Sequence, residues 1–332
     1  MTGDAETIDS IIPGALPCRP NIETVAHLQV CDRVEPERGT IQAMRFETPL
    51  AEHWSALTEP LPLAGGTAMR PAADGGFPTL EAVTAAAPWA AALVADISRG
   101  LRLQLALGRP WVQFEPILLV GPPGVGKSWL ARRLAEALRL PSAVLELGNA
   151  SDDRQLSGTA RGYSNAQPAW PVMTIAATRC PNPLLIVDEV DKAGGSAQHG
   201  RPHHALLSML EPGSARRWSD PCLLAACDLS AVNWIACANT TDPLPKALLS
   251  RFRIVEPATP EPSHFNAALT SVLGDLADRW DLPANIDLTP SSRTIRLLRQ
   301  QFARHRSVRL LARHATAVVG AMLADGAIIT WQ

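Results

Sequence analysis

Gly121-Pro122-Pro123-Gly124-Val125-Gly126-Lys127-Ser128 is the stretch on which the fold of this chain turns. Ahead of it, Ile117-Leu118-Leu119-Val120 is apolar throughout, as a strand buried on both faces should be. Behind it, residues 129–138 place Leu130, Leu134 and Leu138 on one helical face. The eight residues fit the pattern G-x-x-x-x-G-K-[ST] at every fixed position, in the strand–turn–helix context that gives it meaning. Glycines let successive backbone N–H groups curl toward one point, and the start of the following helix adds partial positive charge. That cradle suits the phosphates of a nucleoside triphosphate. The predicted binding set is Gly121, Pro122, Pro123, Gly124, Val125, Gly126, Lys127, Ser128 and Trp129. Within it Lys127 would reach the β- and γ-phosphates, and the Ser128 hydroxyl would hold Mg²⁺. An ordinary Gly-Pro turn with a surface lysine is the bland alternative, and the matching flanks argue against it.

The composition around this centre is globular: 332 residues, 46% hydrophobic and 19% charged, ample for a core. A formal net charge of −2 gives no whole-chain pull toward nucleic acid or an anionic membrane. Cys18, Cys31, Cys180, Cys222, Cys227 and Cys237 contain no C-x-x-C pair and no metal-ligand spacing. Cys180, Cys227 and Cys237 sit beside apolar residues, as reduced core thiols do in cytoplasmic proteins. Asp4, Glu6 and Asp9 leave the N-terminus without the basic start of a signal peptide. The longest apolar run, residues 85–95, is too short to span a bilayer and contains Pro88. A soluble, cytoplasmic protein is expected, with no membrane partner.

Outward from the glycine-rich loop, a helical pattern runs from Leu80 through Leu93 to Leu101 and Leu105. Residues 60–78 are rich in Pro, Gly and Ala, which is linker composition. Residues 1 to about 60 show no motif. Further strands are expected at residues 142–147, 184–187, 234–238 and 253–255, mostly separated by helical segments. Such alternation argues a parallel sheet covered on both faces. After Pro262 the pattern turns wholly helical, over residues 265–280, 291–304 and 307–323. Three regions follow: 1–77, without assigned function; 78–258, a large α/β domain; and 259–332, a small all-α domain.

The strand at Leu184 ends in Asp188-Glu189. Asp188 would help hold Mg²⁺, and Glu189 would take a proton from the attacking water as general base. A surface carboxylate pair is the competing reading, and the pairing with Lys127 weighs against it. Asn239 ends the strand at residues 234–238 and could orient that water, although Asn239-Thr240-Thr241-Asp242-Pro243 is also turn chemistry. Arg251, after the apolar Leu248-Leu249, could neutralise transition-state charge at a neighbouring molecule's site. Arg309 begins the last long helix, with Arg304, Arg306 and Arg313 near it; one of these would report nucleotide state to the helical domain.

Taken together, Gly121–Ser128, Asp188-Glu189-Val190-Asp191-Lys192, Asn239, Arg251 and Arg309 resemble an AAA+ ATPase, specifically the ATPase module of Lon proteases. Residues 182–192 resemble its Walker B segment. Residues 205–212, then Trp218-Ser219-Asp220 and Asp228-Leu229-Ser230, resemble the stretch that follows. Leu248 to Arg251 resembles the arginine-finger segment, and Ser307-Val308-Arg309 the start of the sensor-2 helix. The resemblance covers about residues 78–325. It implies a parallel five-stranded sheet of order 5-1-4-3-2 with a C-terminal helical lid, ATP and Mg²⁺ as cofactors, and a nucleotide contact from Arg309. It further implies a homo-oligomer, a hexamer, with active sites between subunits.

That family threads polypeptide through the ring with an aromatic residue on a loop after the second strand. Here Gly158-Thr159-Ala160-Arg161-Gly162-Tyr163-Ser164 matches that loop, so Tyr163 and Ser164 are the expected substrate contacts. Lon carries a larger apolar residue where this chain has Ser164. The glycines suit a flexible loop between residues 151 and 168. Trp218, with Arg216-Arg217, falls where a second pore loop would lie. Lon also carries a Ser–Lys peptidase domain after the lid, whereas this chain stops at Gln332. His203-His204, expected in an exposed loop, offer no substitute. The expected function is ATP-driven remodelling or unfolding of a protein partner without a built-in protease, with a separate peptidase or effector as a possible partner. A nucleic-acid motor or loader, and a nucleotide-gated scaffold with little turnover, are the rivals.

Overall fold

The computed structural model describes residues 27–28, 30, 57, 60–66, 68–72, 75–148, 152–194, 201–283 and 286–324. Ser151, Cys18, Cys31 and the acidic start lie outside these. A short antiparallel pair, β1 (His27–Leu28) and β2 (Leu61–Pro62), precedes helices α1 (Pro78–Ala86) and α2 (Ala91–Ala106). Then follow β3 (Ile117–Val120), α3 (Lys127–Ala137), β4 (Ser142–Glu146), α4 (Arg154–Ser157), α5 (Trp170–Thr178) and β5 (Leu184–Asp188). Next come α6 (Pro202–Leu210), α7 (Pro212–Ala215), the hairpin β6 (Trp218–Asp220) and β7 (Ala225–Cys227), and β8 (Asn233–Ala238). The chain continues through α8 (Lys246–Leu249) and β9 (Arg253–Val255) to α9 (Phe265–Arg279), α10 (Ser292–His305) and α11 (Val308–Ala324).

The central sheet has five parallel strands in the order β4-β5-β8-β3-β9. Numbered among themselves, these are 2-3-4-1-5, the expected order read from the opposite edge. Side chains alternate between faces along each strand. Ile117 and Leu119 of β3 therefore join a core with Ile97 and Leu101 of α2 and with Leu130 and Leu134 of α3. Leu118 and Val120 point the other way, toward Val172 and Ile175 of α5 and Leu206 of α6. Only a strand covered on both sides needs four apolar residues in a row. Edge strand β4 instead alternates partly buried Ala143 and Leu145 with exposed neighbours.

Two buried asparagines lock the amino ends of the strands. Asn182 accepts from the Ala64 N–H at 2.7 Å and donates to the carbonyls of Ala64 and Val112 at 3.0 and 2.9 Å. Asn233 accepts from Phe114 N–H at 3.0 Å and donates to the Asn182 carbonyl at 3.0 Å. Residues 60–78 are therefore no linker over their described positions. Met69 and Phe77 are buried, and Gly65, at φ +98°, lies so close to Val112 that a Cβ there would overlap Val112 Cγ2. Small residues are what allow this close packing. The continuous helix expected from Leu80 to Leu105 is also broken. Ala87 leaves helical geometry, a 3₁₀ turn runs from Pro88 to Ala90, and the two halves meet at a bend of 120°. Pro88 disfavours helical geometry at the residue before it and so forces the break.

The C-terminal helices pack Phe265, Ala268, Phe302, Val308 and Leu311 into the core that α1 and α2 share. Ser291 caps α10, accepting from Thr294 N–H at 3.3 Å. No single helix among the described residues is long and apolar enough to cross a membrane.

Candidate functional site

Parallel strands deliver their carboxyl ends to one edge of the sheet, and there β3, β5 and β8 place their following residues side by side. Gly124 and Gly126 both adopt φ +93° in the turn after β3. That left-handed geometry is open to glycine and strained for other residues. Lys127 opens α3 with only 9% of its surface exposed. Its Nζ donates to the carbonyls of Gly121 and Pro122 at 2.6 and 3.2 Å and to Asn239 Oδ1 at 3.1 Å. Burial pushes the ammonium pKa down, against the opposing charges of Asp188 and Asp191. Its direct hydrogen-bond partners are all neutral, so an anion entering the cavity could take their place.

Ser128 Oγ donates to Asp188 Oδ2 at 2.5 Å. The other Asp188 oxygen accepts the Glu189 N–H at 2.9 Å. Asp191 Oδ2 accepts the Asn239 N–H at 3.0 Å, joining the ends of β5 and β8. Cys237 lies behind Lys127 and Ser128; burial, then the charge of Asp188, push its thiol pKa up to about 12. It is a protonated, inert packing group.

The cavity these groups line has a volume of about 500 Å³. Its far wall comes from Trp89 and from the C-terminal helices, through Ser271, Asp275, Arg309 and Thr316. The start of α11 is tied directly to the glycine-rich loop: Val308 N–H and Arg309 N–H both reach the Gly124 carbonyl, at 3.0 and 3.4 Å. A Cβ on Gly124 would lie 2.5 Å from Ser307 Oγ, so glycine is needed for this approach as well. Trp129 Nε1 donates to Asp275 Oδ2 at 2.6 Å, Arg133 pairs with the same carboxylate, and the Arg133 guanidinium stacks 5.7 Å from the Trp129 ring. Sequence reasoning missed Trp89 and Asp275. Trp89 sits in an apolar run and Asp275 in a helical pattern, and neither gives a sign of a cavity.

Lys127, Ser128, Asp188, Glu189, Asn239 and Arg309 thus line one cavity with Pro123, Gly124, Gly126 and Trp129. Gly121, Pro122 and Val125 complete the loop itself. Arg251 is elsewhere: it is partly exposed and ion-paired with Glu211. Tyr163 is 67% exposed. The flexible loop expected between residues 151 and 168 is corrected over its described part. α4 occupies its start, and Thr159 and Gln167 exchange backbone hydrogen bonds of 2.8 and 3.2 Å. Arg161 Nε and Nη2 donate to the carbonyls of Cys222 and Leu223, both at 3.1 Å. Buried Asp220 accepts N–H groups from Ala169, Cys222 and Leu223 at 2.8, 2.9 and 2.8 Å. The Tyr163 loop is therefore braced on the β6–β7 turn, whose Leu224 is 65% exposed. Ser164 is exposed beside Tyr163. Trp218 packs against the core at the start of β6. His203 is inside α6 and buried, its Nε2 at 2.8 Å from the Val190 carbonyl, contrary to the expected exposed loop.

Residues 117–259 match the family model described as ATPase family associated with various cellular activities (AAA). The mitochondrial Lon protease homolog of Eremothecium gossypii is 32% identical over 212 residues, 60% of this chain and 19% of that protein. The Lon protease of Mycoplasma genitalium is 40% identical over 142 residues, 42% of this chain and 18% of that protein. The chain spans about a fifth of the length of these curated relatives. Among solved structures, a chain of the closed-state reconstruction of Hsp104 with ATPyS and FITC casein aligns with a TM-score of 0.59. It is 18% identical and covers 74% of this chain and 47% of its own, a likeness of fold alone.

Proposed function

We propose that this chain, built around an AAA ATPase domain similar to the ATPase region of Lon proteases, hydrolyses ATP to remodel a protein partner. The observation that carries this reading is the convergence of Lys127, Ser128, Asp188, Glu189 and Asn239 on one cavity that Arg309 closes from the helical side. Lys127 exchanges its carbonyl partners for phosphate oxygens, and the backbone of residues 121–128 encloses the rest of the phosphate chain. Ser128 Oγ and Asp188 Oδ2, adjacent hard oxygens, are the groups that would hold Mg²⁺. Such an ion takes few protein ligands beside phosphates and water and, when bound, neutralises phosphate charge. Glu189 accepts the proton of the attacking water, and Asn239, bonded to Lys127, keeps that water near the terminal phosphate.

Arg251 lies outside the cavity of its own chain, so in this account it serves a neighbour's site in a ring, a hexamer by the analogy with Lon. We place residues 78–258 and 259–332 as catalytic and lid domains. Buried thiols at Cys180, Cys222 and Cys237 suit a reducing compartment such as the cytoplasm. The net charge of −2 favours a protein over a nucleic-acid substrate.

Tyr163 tests the coupling to protein work. Tyr163→Ala should leave ATP hydrolysis and the melting temperature unchanged, because an exposed ring away from the cavity changes stability by at most about 0.5 kcal/mol. It should abolish ATP-dependent unfolding of a tagged fluorescent protein, while Ser164→Val should strengthen it. A parallel fall in melting temperature and ATPase rate would make Tyr163 a structural residue and remove the threading account.

A further inference from the structure

We propose that Lys192 is a positioning residue that holds the Glu189 carboxylate in a resting seat over Gly148, and that turnover includes release from that seat. The inference rests on Glu189 being the general base. One carboxylate oxygen is paired and the other fills the space a side chain at Gly148 would take. Oε1 is ion-paired with Lys192 Nζ. Oε2 lies against Gly148, where a Cβ would overlap it and stand 3.1 Å from Cδ and 3.3 Å from the glutamate's own Cβ. Any residue other than glycine at this position, just past the end of β4, would expel the carboxylate.

The local backbone builds this arrangement. Glu189 adopts φ 54° and ψ 38°, a left-handed conformation that side chains rarely take, stabilised by its N–H on Asp188 Oδ1. A 3₁₀ turn follows from Val190 to Lys192, with Lys192 N–H bonded to the Glu189 carbonyl at 2.9 Å. Three residues per turn bring positions i and i+3 directly over one another. The lysine therefore stands above the glutamate by construction. Lys192, Glu189 and Asp191 all line the same cavity.

A general base must present a free lone pair to water within hydrogen-bond reach. The Lys192 ammonium occupies one oxygen, and the open space over Gly148 lets the carboxylate rest in that paired position. The pair opens when the carboxylate turns to water, and the proton then passes from water to Glu189, with Lys192 unchanged in charge. Lys192 is half-exposed, so the hold is weak. An exposed ion pair of this kind shifts an equilibrium by about 1.5- to 5-fold.

Steady-state ATPase kinetics with parallel calorimetry tests this. Lys192→Met should raise kcat by about 1.5- to 5-fold, by the same estimate, with KM and ATP affinity unchanged. Lys192→Arg should return kcat to the wild-type value. Gly148→Ala should raise kcat similarly, and the double variant should rise no further than either single one. A kcat that is unchanged or lower in Lys192→Met overturns the proposal. Lys192 is exposed enough for that variant to fold even where Gly148→Ala does not. Failure of the base assignment reads differently: Glu189→Gln would then turn over like wild type.

Discussion

Glu189→Gln is expected to bind ATP as tightly as wild type and to lose turnover by about 10²- to 10⁴-fold, the usual contribution of a positioned general base. The amide keeps the size and left-handed setting of the side chain but cannot take a proton. Asp188, Ser128 and Lys127, which line the cavity beside the glycine-rich loop, keep their own hydrogen bonds. Binding and chemistry should therefore separate: calorimetry shows an unchanged dissociation constant while phosphate release stops. Tight binding also makes this variant a trap for whatever partner the ATP state holds. Turnover within a few-fold of wild type would remove Glu189 from the chemistry.

Arg251→Ala is expected to lower kcat by about 10³-fold or more, the scale of arginines that neutralise charge on a transferred phosphoryl group. In the ring proposed above, the effect would be intermolecular. Arg251 pairs with Glu211 and does not line the cavity of its own chain. Mixing Arg251→Ala with Lys127→Ala subunits should therefore restore part of the activity that neither has alone. In a mixed ring, the intact pocket of one subunit meets the intact arginine of the next. A monomer by light scattering whose specific activity is independent of protein concentration would contradict this.

Sequence reasoning worked best where chemistry and periodicity coincide. Four consecutive apolar residues at Ile117–Val120, then a glycine-rich turn, leave one arrangement in which backbone N–H groups converge, and the observed β3–α3 junction has it. Leu184–Asp188 shows the same logic, since a fully apolar run ending in acids belongs in the middle of a parallel sheet. Pro-, Gly- and Ala-rich composition misled at residues 60–78. Those residue types mark linkers by statistics, yet Gly65 and Ala64 are used here for close packing against Val112 and Asn182. Arg161 and Asp220 were illegible for another reason. Arg161 bonds to carbonyls 61 and 62 residues away and Asp220 to an N–H 51 residues away, beside its local turn bonds, and no local pattern encodes the distant pairs. His203 was misplaced because a His-His pair reads as polar, although one ring is satisfied by the Val190 carbonyl inside the fold. The C-terminal helices were legible from their apolar spacing, whereas the contact of Ser307 and Val308 with Gly124 emerged only from the packing.

Calorimetric titration of ATP into the wild-type protein and into Lys127→Ala tests the central claim most directly. The buried ammonium is held within hydrogen-bond reach of Gly121, Pro122 and Asn239, where the terminal phosphates would lie. Its removal should abolish measurable binding while leaving the fold, and hence the melting temperature without nucleotide, close to wild type. Equal ATP affinity in the two proteins would contradict the assignment of this cavity as the nucleotide site.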